Sequence, residues 1–506
     1  MRRVRVTGIL LALAISACAP ANLEPVRARK ISAEAHEAAL VRGLSGGEDA
    51  EARMALGRWV KDSHREGWSG RQVFVRTGGR LFHVSYTAAR AGVYSPTYFD
   101  RLEPAGDYKV TGLKRHQVQG VGVPMIGIRE NKNREPIEKW YPPEAITRAV
   151  TLVAIPGKFQ EGYQNVELRL VDRMHEETVL LNGKRQSLAG DFSAPFASLL
   201  QDTGPFMRTG FLAVVQERTG RNAGFALMEP YDPNRTPLIL VHGLLSTPLA
   251  WAKLTNDLWS QPLVRHRYQI WHYYYPTNAP ALYSARIMRG QLDDLRHFLD
   301  PSGTDPAMQH TVVIAHSNGG LLAKTLAVNP RDAFWDVVFT RPLSSLKVTP
   351  KERATLKEAF YWKPRHHVDR IIFCSVPFRG SFVASSWIGQ AGLLLTAPSH
   401  DFQDFYREVE RKNPGAIQPG YASLTGGKVS SLTALTPKQK SMEILDHLPL
   451  VRGAKAHVIT GKADFFVPAE SSSFPGAESS LAVPGGHGSF HHERALQEIL
   501  RILALP

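Results

Sequence analysis

Ser317, Asp464 and His487 stand in that order along a chain of 506 residues, and each is a residue type that acyl transfer needs. A serine hydroxyl is a poor nucleophile until a base takes its proton, and the base is usually an imidazole. The imidazole in turn needs a carboxylate to fix its tautomer and stabilise its cation. Ser317 lies in "VVIAHSNGGLLAK", an apolar run followed by a small polar knot, two glycines and an apolar segment. That pattern reads as a buried strand, a sharp turn and a helix, with serine at the turn. Serine also caps helices, so alone it is equally a cap and a nucleophile. Asp464 lies in "GKADFFVP", with Asp369 and Asp446 as rival acids. Asp369 precedes its strand and Asp446 lies in a helical stretch, which favours Asp464. His487 lies in "PGGHGSFHH", with His491 and His492 as rival bases.

The elements that must position these residues follow from the hydrophobic pattern. "LILVHG", "YQIWHYYYP", "TVVIAHS", "DRIIFCSVP" and "KAHVITG" are apolar strands separated by helical segments, and "ERALQEILRIL" closes the chain as a helix. Such alternation predicts an α/β fold with a mostly parallel, doubly wound sheet. Ligands bind at the carboxyl ends of such strands, and Ser317, Asp464 and His487 fall there or in late loops. The preceding residues have another texture. "VFVRTGGRLFHV" and "TVLLNGKRQSL" read as hairpins turning at Gly78-Gly79 and Asn182-Gly183, and Val166, Leu168 and Leu170 alternate with polar neighbours. Residues 68–228 are therefore expected as a smaller β-rich domain before an α/β domain over 229–506. The linker is placed in the proline-rich "EPYDPNRTP". Residues 18–67 are expected as a loosely attached helical tether, with a capping box at Ser45-Gly46-Gly47-Glu48.

Ala315-His316-Ser317-Asn318-Gly319 resembles the nucleophile elbow of α/β-hydrolases, with alanine in place of the first glycine. Small residues two before and two after the serine let strand and helix pass closely. The order nucleophile, acid, base also matches that family, and the resemblance covers 236–506, a little over half the chain. It implies an α/β-hydrolase fold of the lipase and esterase kind. "VHGLLSTPLAW" is similar to the oxyanion-hole loop, which implies backbone donors at Leu244 and Asn318. A histidine just after glycine and before the last helix, as in the family, favours His487 as the base. The resemblance implies ester hydrolysis through an acyl-Ser317 intermediate, with lipid or acyl esters as substrates. Thioester hydrolysis or acyl transfer on the same three residues remains an alternative, as does a non-catalytic binding protein of the cell envelope. His242 and His316 are read as structural. The pairs His366-His367 and His491-His492 lack ligand partners at zinc spacing, so no metal and no cofactor are expected. A segment within 381–445, "SFVASSWIGQAGLLL", reads equally as a lid and as a packed helix.

The N-terminus carries an address. "MRRVRVTGILLALAISACAP" has a basic start, a short apolar core and small residues ending at Cys18. It resembles a bacterial lipoprotein signal over 1–17, with Ile15 where leucine is usual and Cys18 as the lipidated residue. A cell-envelope location follows, tethered to the outer membrane and facing the periplasm because Ala19 is not aspartate. The chain holds two cysteines, Cys18 and Cys374, so the second is left as a buried thiol. The net charge is +15, spread along the sequence without a nucleic-acid-binding signature. A basic surface near anionic lipid is expected and nucleic acid is not.

Overall fold

The computed structural model describes residues 21–26, 32–68, 72–86, 92–95, 97–202, 223–244, 246–275, 277, 281–381, 400–421 and 440–506. The signal over 1–17, Cys18 and most of the candidate lid within 381–445 lie outside the described residues. Two compact units emerge. One holds Met1–Gly204 with Thr255–His266, and the other Pro205–Leu254 with Arg267–Pro506.

In the first unit, strands β1 (Val73–Thr77), β2 (Arg80–Tyr86), β3 (Arg101–Pro104), β4 (Val123–Glu130), β5 (Ala145–Gln160) and β6 (Tyr163–Asp172) form a sheet in the order β1-β2-β6-β5-β4-β3. The Gly78-Gly79 turn joins β1 to β2, and Asn182-Gly183 joins a second hairpin. Leu168 and Leu170 alternate inward on β6. Helices α1 (Ala33–Leu44) and α2 (Ala50–Arg65) do not form a loose tether. Leu40, Leu44, Leu56 and Val60 share one core with Phe82, Val84, Leu152 and Leu168 of the sheet. Apolar residues at helical spacing make that face, and burying it is worth about 1.5–3 kcal/mol for each large aliphatic side chain. The expected capping box at Ser45–Glu48 does not form: the N-cap of α2 is Asp49, four residues after Ser45, and accepts from the Ala52 N–H, while Glu48 accepts from the Gly122 N–H instead.

The second unit is an α/β layer structure. Its sheet contains β7 (Gly224–Leu227), β8 (Thr236–Val241), β9 (Tyr268–Tyr274), β10 (Thr311–His316), β11 (Val368–Cys374), β12 (Lys455–Gly461) and β13 (Ser479–Val483), in the order β7-β9-β8-β10-β11-β12-β13. Every neighbouring pair is parallel except β7 with β9. All six residues of β10 are buried, as strands covered on both faces must be. β7 and β13 escape the apolar-run criterion because β7 is four residues long and β13 alternates.

The expected linker at 229–237 is instead a packed connection within this unit. Glu229 and Arg235 are buried and paired at 2.6 Å, and β7 before them is already a strand of the sheet. Proline content marked irregular backbone there and said nothing of burial. Helices α3 (Ala281–Leu299), α4 (Asn318–Lys324), α5 (Pro350–Phe360), α6 (Lys440–His447) and α7 (Glu493–Leu503) accompany the sheet. Among the described residues, no helix is long and apolar enough to cross a membrane.

Candidate active site

The parallel registers bring the strand exits to one edge. Val241 faces Ala315, His316 faces Cys374, Cys374 faces Ile459 and Gly461 faces Val483. Pairing continues one step past the strands, with Ser317 N–H donating to Cys374 O at 2.9 Å and Ser375 N–H to Ile459 O at 2.9 Å. Ser317 therefore stands at the tip of β10 with φ 52° and ψ −128°, and α4 begins at the next residue. For serine that conformation costs on the order of 1–3 kcal/mol, held by the strand before it and the helix after it. The turn is possible because Gly319 has no side chain. A Cβ there would lie 2.3 Å from the His242 carbonyl oxygen.

The three residues singled out in the sequence meet. His487 Nε2 lies 2.9 Å from Ser317 Oγ, and His487 Nδ1 lies 2.9 Å from Asp464 Oδ2. Asp464 Oδ1 accepts the N–H groups of Phe466 and Val467, each at 2.9 Å. Burial opposes ionisation of Asp464. The His487 hydrogen bond, the imidazole charge and the two N–H donors outweigh it, and the carboxyl titrates below its usual range. With Asp464 ionised, Nδ1 of His487 donates to it and Nε2 is left to accept from the Ser317 hydroxyl. Ser317 is 6% exposed, so the hydroxyl is neither sealed off nor freely solvated.

The rivals lie elsewhere. Asp369 binds His310 at 2.8 Å near the start of β11, and Asp446 pairs with Arg379 at 3.1 Å. His492 caps α7 by accepting from the Arg494 N–H. His491 packs against Phe490 with the rings tilted by 40°, and burial depresses its pKa to about 4. Among the described residues, no group of three or more His, Cys, Asp or Glu is placed to hold a metal ion.

The loop after β8 lies against the serine. A Cβ on Gly243 would come within 2.9 Å of Ser317 Cβ, and Leu244 follows in a turn. Asn318 is the first residue of α4, so its N–H has no acceptor within the helix. His242 is fully buried, and desolvation lowers its pKa to about 4 despite a hydrogen bond to Gly243 O. Its neutral ring stacks on Tyr275, with centroids 4.6 Å apart. Further residues support the site without having been singled out for it. Tyr275 donates to His242 O at 3.0 Å and accepts from Asn318 Nδ2 at 3.2 Å. Ser375, also at positive φ, meets Ser489 Oγ at 3.0 Å and so ties the exit of β11 to the histidine loop. Phe465 and Phe466, directly after the acid, are exposed, and the Phe466 ring lies 5.4 Å from that of His487. Tyr275 directly follows the aromatic strand β9, whose sequence carries no sign of a hydroxyl role, whereas an apolar "FF" directly after Asp464 is a pattern the sequence shows. Burial pushes the Cys374 thiol up to about 12, which leaves it an inert core residue.

No family model matches this chain. No curated protein matches it either. Solved structures do. The chain is similar to the mature form of the lipase BlEst2 from Bacillus licheniformis, at 14% identity and a TM-score of 0.32 over 56% of this chain and 97% of that one. It is likewise similar to the enol-lactonase from Burkholderia xenovorans LB400, at 14% identity and TM-score 0.32 over 57% and 98%. The butyrate-bound esterase Est2 from Thermogutta terrifontis matches at 14% identity and TM-score 0.32 over 57% and 91%. Likenesses at this level establish neither activity nor substrate, which rest on the chain's own geometry.

Proposed function

We propose that the second unit is an α/β-hydrolase domain that cleaves carboxylic esters, with Ser317 as nucleophile, His487 as general base and then acid, and Asp464 as the carboxylate that orients it. The observation that carries this reading is the unbroken line from Ser317 Oγ through His487 to Asp464, with 2.9 Å at each step. Ser317 Oγ attacks the ester carbonyl as its proton passes to His487 Nε2. The tetrahedral oxyanion is held by the N–H groups of Leu244 and Asn318. Collapse expels the alcohol, which takes the proton from His487 and leaves an acyl-serine. Water repeats the sequence and releases the carboxylic acid. The exposed Phe465–Phe466 pair beside His487 favours an apolar acyl or lipid ester. A fluorophosphonate probe should label Ser317. Labelling that survives Ser317→Ala would overturn the assignment.

The address belongs to the same proposal. Cys18 is taken as a lipid-modified residue that holds the chain on the periplasmic side of the outer membrane, near lipid. One acyl chain binds a membrane marginally, whereas two or more anchor it stably. Cys18→Ser should move the protein from the membrane to the soluble fraction of its host. Equal partitioning of both forms would remove the anchor.

A further inference from the structure

The end of the second unit's sheet away from Ser317 holds a cleft of about 620 Å³. It opens between α3 and the segment leading into β11, and His367 at its edge meets Thr311, the first residue of β10, at 3.2 Å. Arg286, Arg289, Arg296, Lys357, Lys363 and Arg365 line it, against two carboxylates, Asp293 and Glu358. Three of the arginines share one face of α3 at spacings of three and seven residues. Both carboxylates are already spent: Arg286 pairs with Glu358 at 3.0 Å and Arg365 with Asp293 at 2.5 Å. Among the described residues, the other four cations have no carboxylate in ion-pair contact.

Arg289 is the telling one. It is 2% exposed, among the described residues its terminal nitrogens reach only the Thr325 hydroxyl (2.9 Å) and the Glu358 backbone carbonyl (2.8 Å), and its guanidinium lies over the Trp362 ring at 4.3 Å. A buried cation without a counter-ion is costly to keep. Trp362 is itself 4% exposed, and its indole N–H is buried with no acceptor among the described residues. The lining thus carries six cations against two carboxylates, with one buried indole N–H left over.

We infer that this cleft is an anion-binding site, and that its ligand carries a phosphate group. A single carboxylate offers one charge and two oxygens, whereas a phosphate offers up to two charges and oxygens in several directions, which suits spare cations on more than one side. The cavity exceeds one phosphate, so the ligand has a further body, flanked by Tyr361 and Trp362. The cleft lies at the opposite strand ends from Ser317, so its occupant is not the ester being cleaved. The pair His366-His367, which had no role in the reaction, lines the same cleft.

Calorimetric titration of the full chain with inorganic pyrophosphate, at low and at high salt, tests the site. Two variants accompany it. Lys357→Ala/Lys363→Ala changes two exposed residues and leaves the core intact. Trp362→Phe keeps a ring beneath Arg289 and removes only the N–H donor. Wild type should bind, less tightly at high salt, and losing two charge-assisted contacts should weaken binding by about tenfold or more. Weaker binding in either variant assigns the anion to this cleft. A second arm, with the Cys18→Ser chain, compares vesicles of phosphatidylglycerol and phosphatidylcholine. Co-sedimentation with the anionic vesicles that the lysine changes abolish makes the source a lipid headgroup. Pyrophosphate binding without vesicle binding makes it a soluble phosphate ester. No binding of either probe, or an affinity that neither variant changes, overturns the inference.

Discussion

His316 Nε2 lies 2.9 Å from the carbonyl oxygen of His487, so the residue before the proposed nucleophile holds the proposed base. Burial keeps the His316 ring neutral, and the neighbouring imidazole of His487 adds to that effect. Nε2 must then carry the ring's one proton and donate it to the carbonyl. The ring also packs 4.6 Å from His487 and 4.8 Å from Phe490. His316 is a positioning residue, tied to the loop of the base rather than to substrate. Replacement by phenylalanine keeps the packing and loses the donor. A neutral hydrogen bond is worth about 1 kcal/mol, so kcat should fall by roughly fivefold to tenfold with KM little changed. His316→Gln, which can donate to the same carbonyl, should recover part of the loss. A fall confined to KM would refute the positioning role.

The loops that carry Asp464 and His487 meet at two glycines. A Cβ on Gly461 would stand 2.2 Å from Gly486 O, the carbonyl just before His487. Gly461 ends β12, and backbone bonds from Lys462 to Val483 and from Ala463 to Gly485 hold the two loops in register. The loops cannot absorb a methyl group there without moving. Gly461→Ala should therefore shift His487 relative to Ser317, and a displacement near 1 Å costs on the order of 100-fold in rate. Fluorophosphonate labelling rates check this. Wild-type labelling in the alanine variant would show that the contact does not set the base.

Much of this site could be read from the chain because its constraints are local. An apolar run into a serine flanked by small residues leaves few options for the backbone, and Gly319, where a Cβ would lie 2.3 Å from a carbonyl oxygen, shows why. Asp464 was separable from Asp369 and Asp446 because only it follows a strand. The chain was opaque where long-range pairing decides. "GFAL" is too short to signal a strand until β9 pairs with it, and α1 and α2 look like a tether until their apolar faces meet the sheet. Tyr275 shows the same limit: its hydroxyl finds His242 and Asn318 only once β8, β9 and β10 are side by side.

Several histidines of the second unit are buried and neutral, which makes acid stability predictable. Burial lowers His272 to about 3 and His242 and His457 to about 4, against an ordinary value of 6.5. Below pH 6.5 the unfolded chain takes up protons that the folded chain refuses, so unfolding becomes easier as pH falls. Each such histidine contributes a slope of up to about 1.4 kcal/mol per pH unit, and the slope ends as pH passes the folded value near 3 to 4. Denaturant midpoints should hold steady above about pH 7 and decline steadily from pH 6.5 towards 4. His242→Asn should flatten that decline. A midpoint that rises on acidification would contradict the burial of these rings.

Tyr275 provides the last test, because its hydroxyl serves two groups that border Ser317. It donates to His242 O and accepts from Asn318 Nδ2, while Asn318 Oδ1 is buried with no partner among the described residues. Tyr275 is 1% exposed, so solvent does not replace the hydroxyl when it is removed. Tyr275→Phe keeps the ring stacked on His242 and strands a buried carbonyl and a buried amide. Leaving such groups unsatisfied costs about 1–3 kcal/mol each, so the denaturant midpoint should drop measurably. His242 precedes Gly243 and Leu244, and Asn318 follows Ser317, so both proposed oxyanion donors lose a brace. The rate of acyl-enzyme formation should fall while binding of a non-hydrolysable ester analogue changes little. An unchanged midpoint together with an unchanged rate would mean that the hydroxyl braces neither loop.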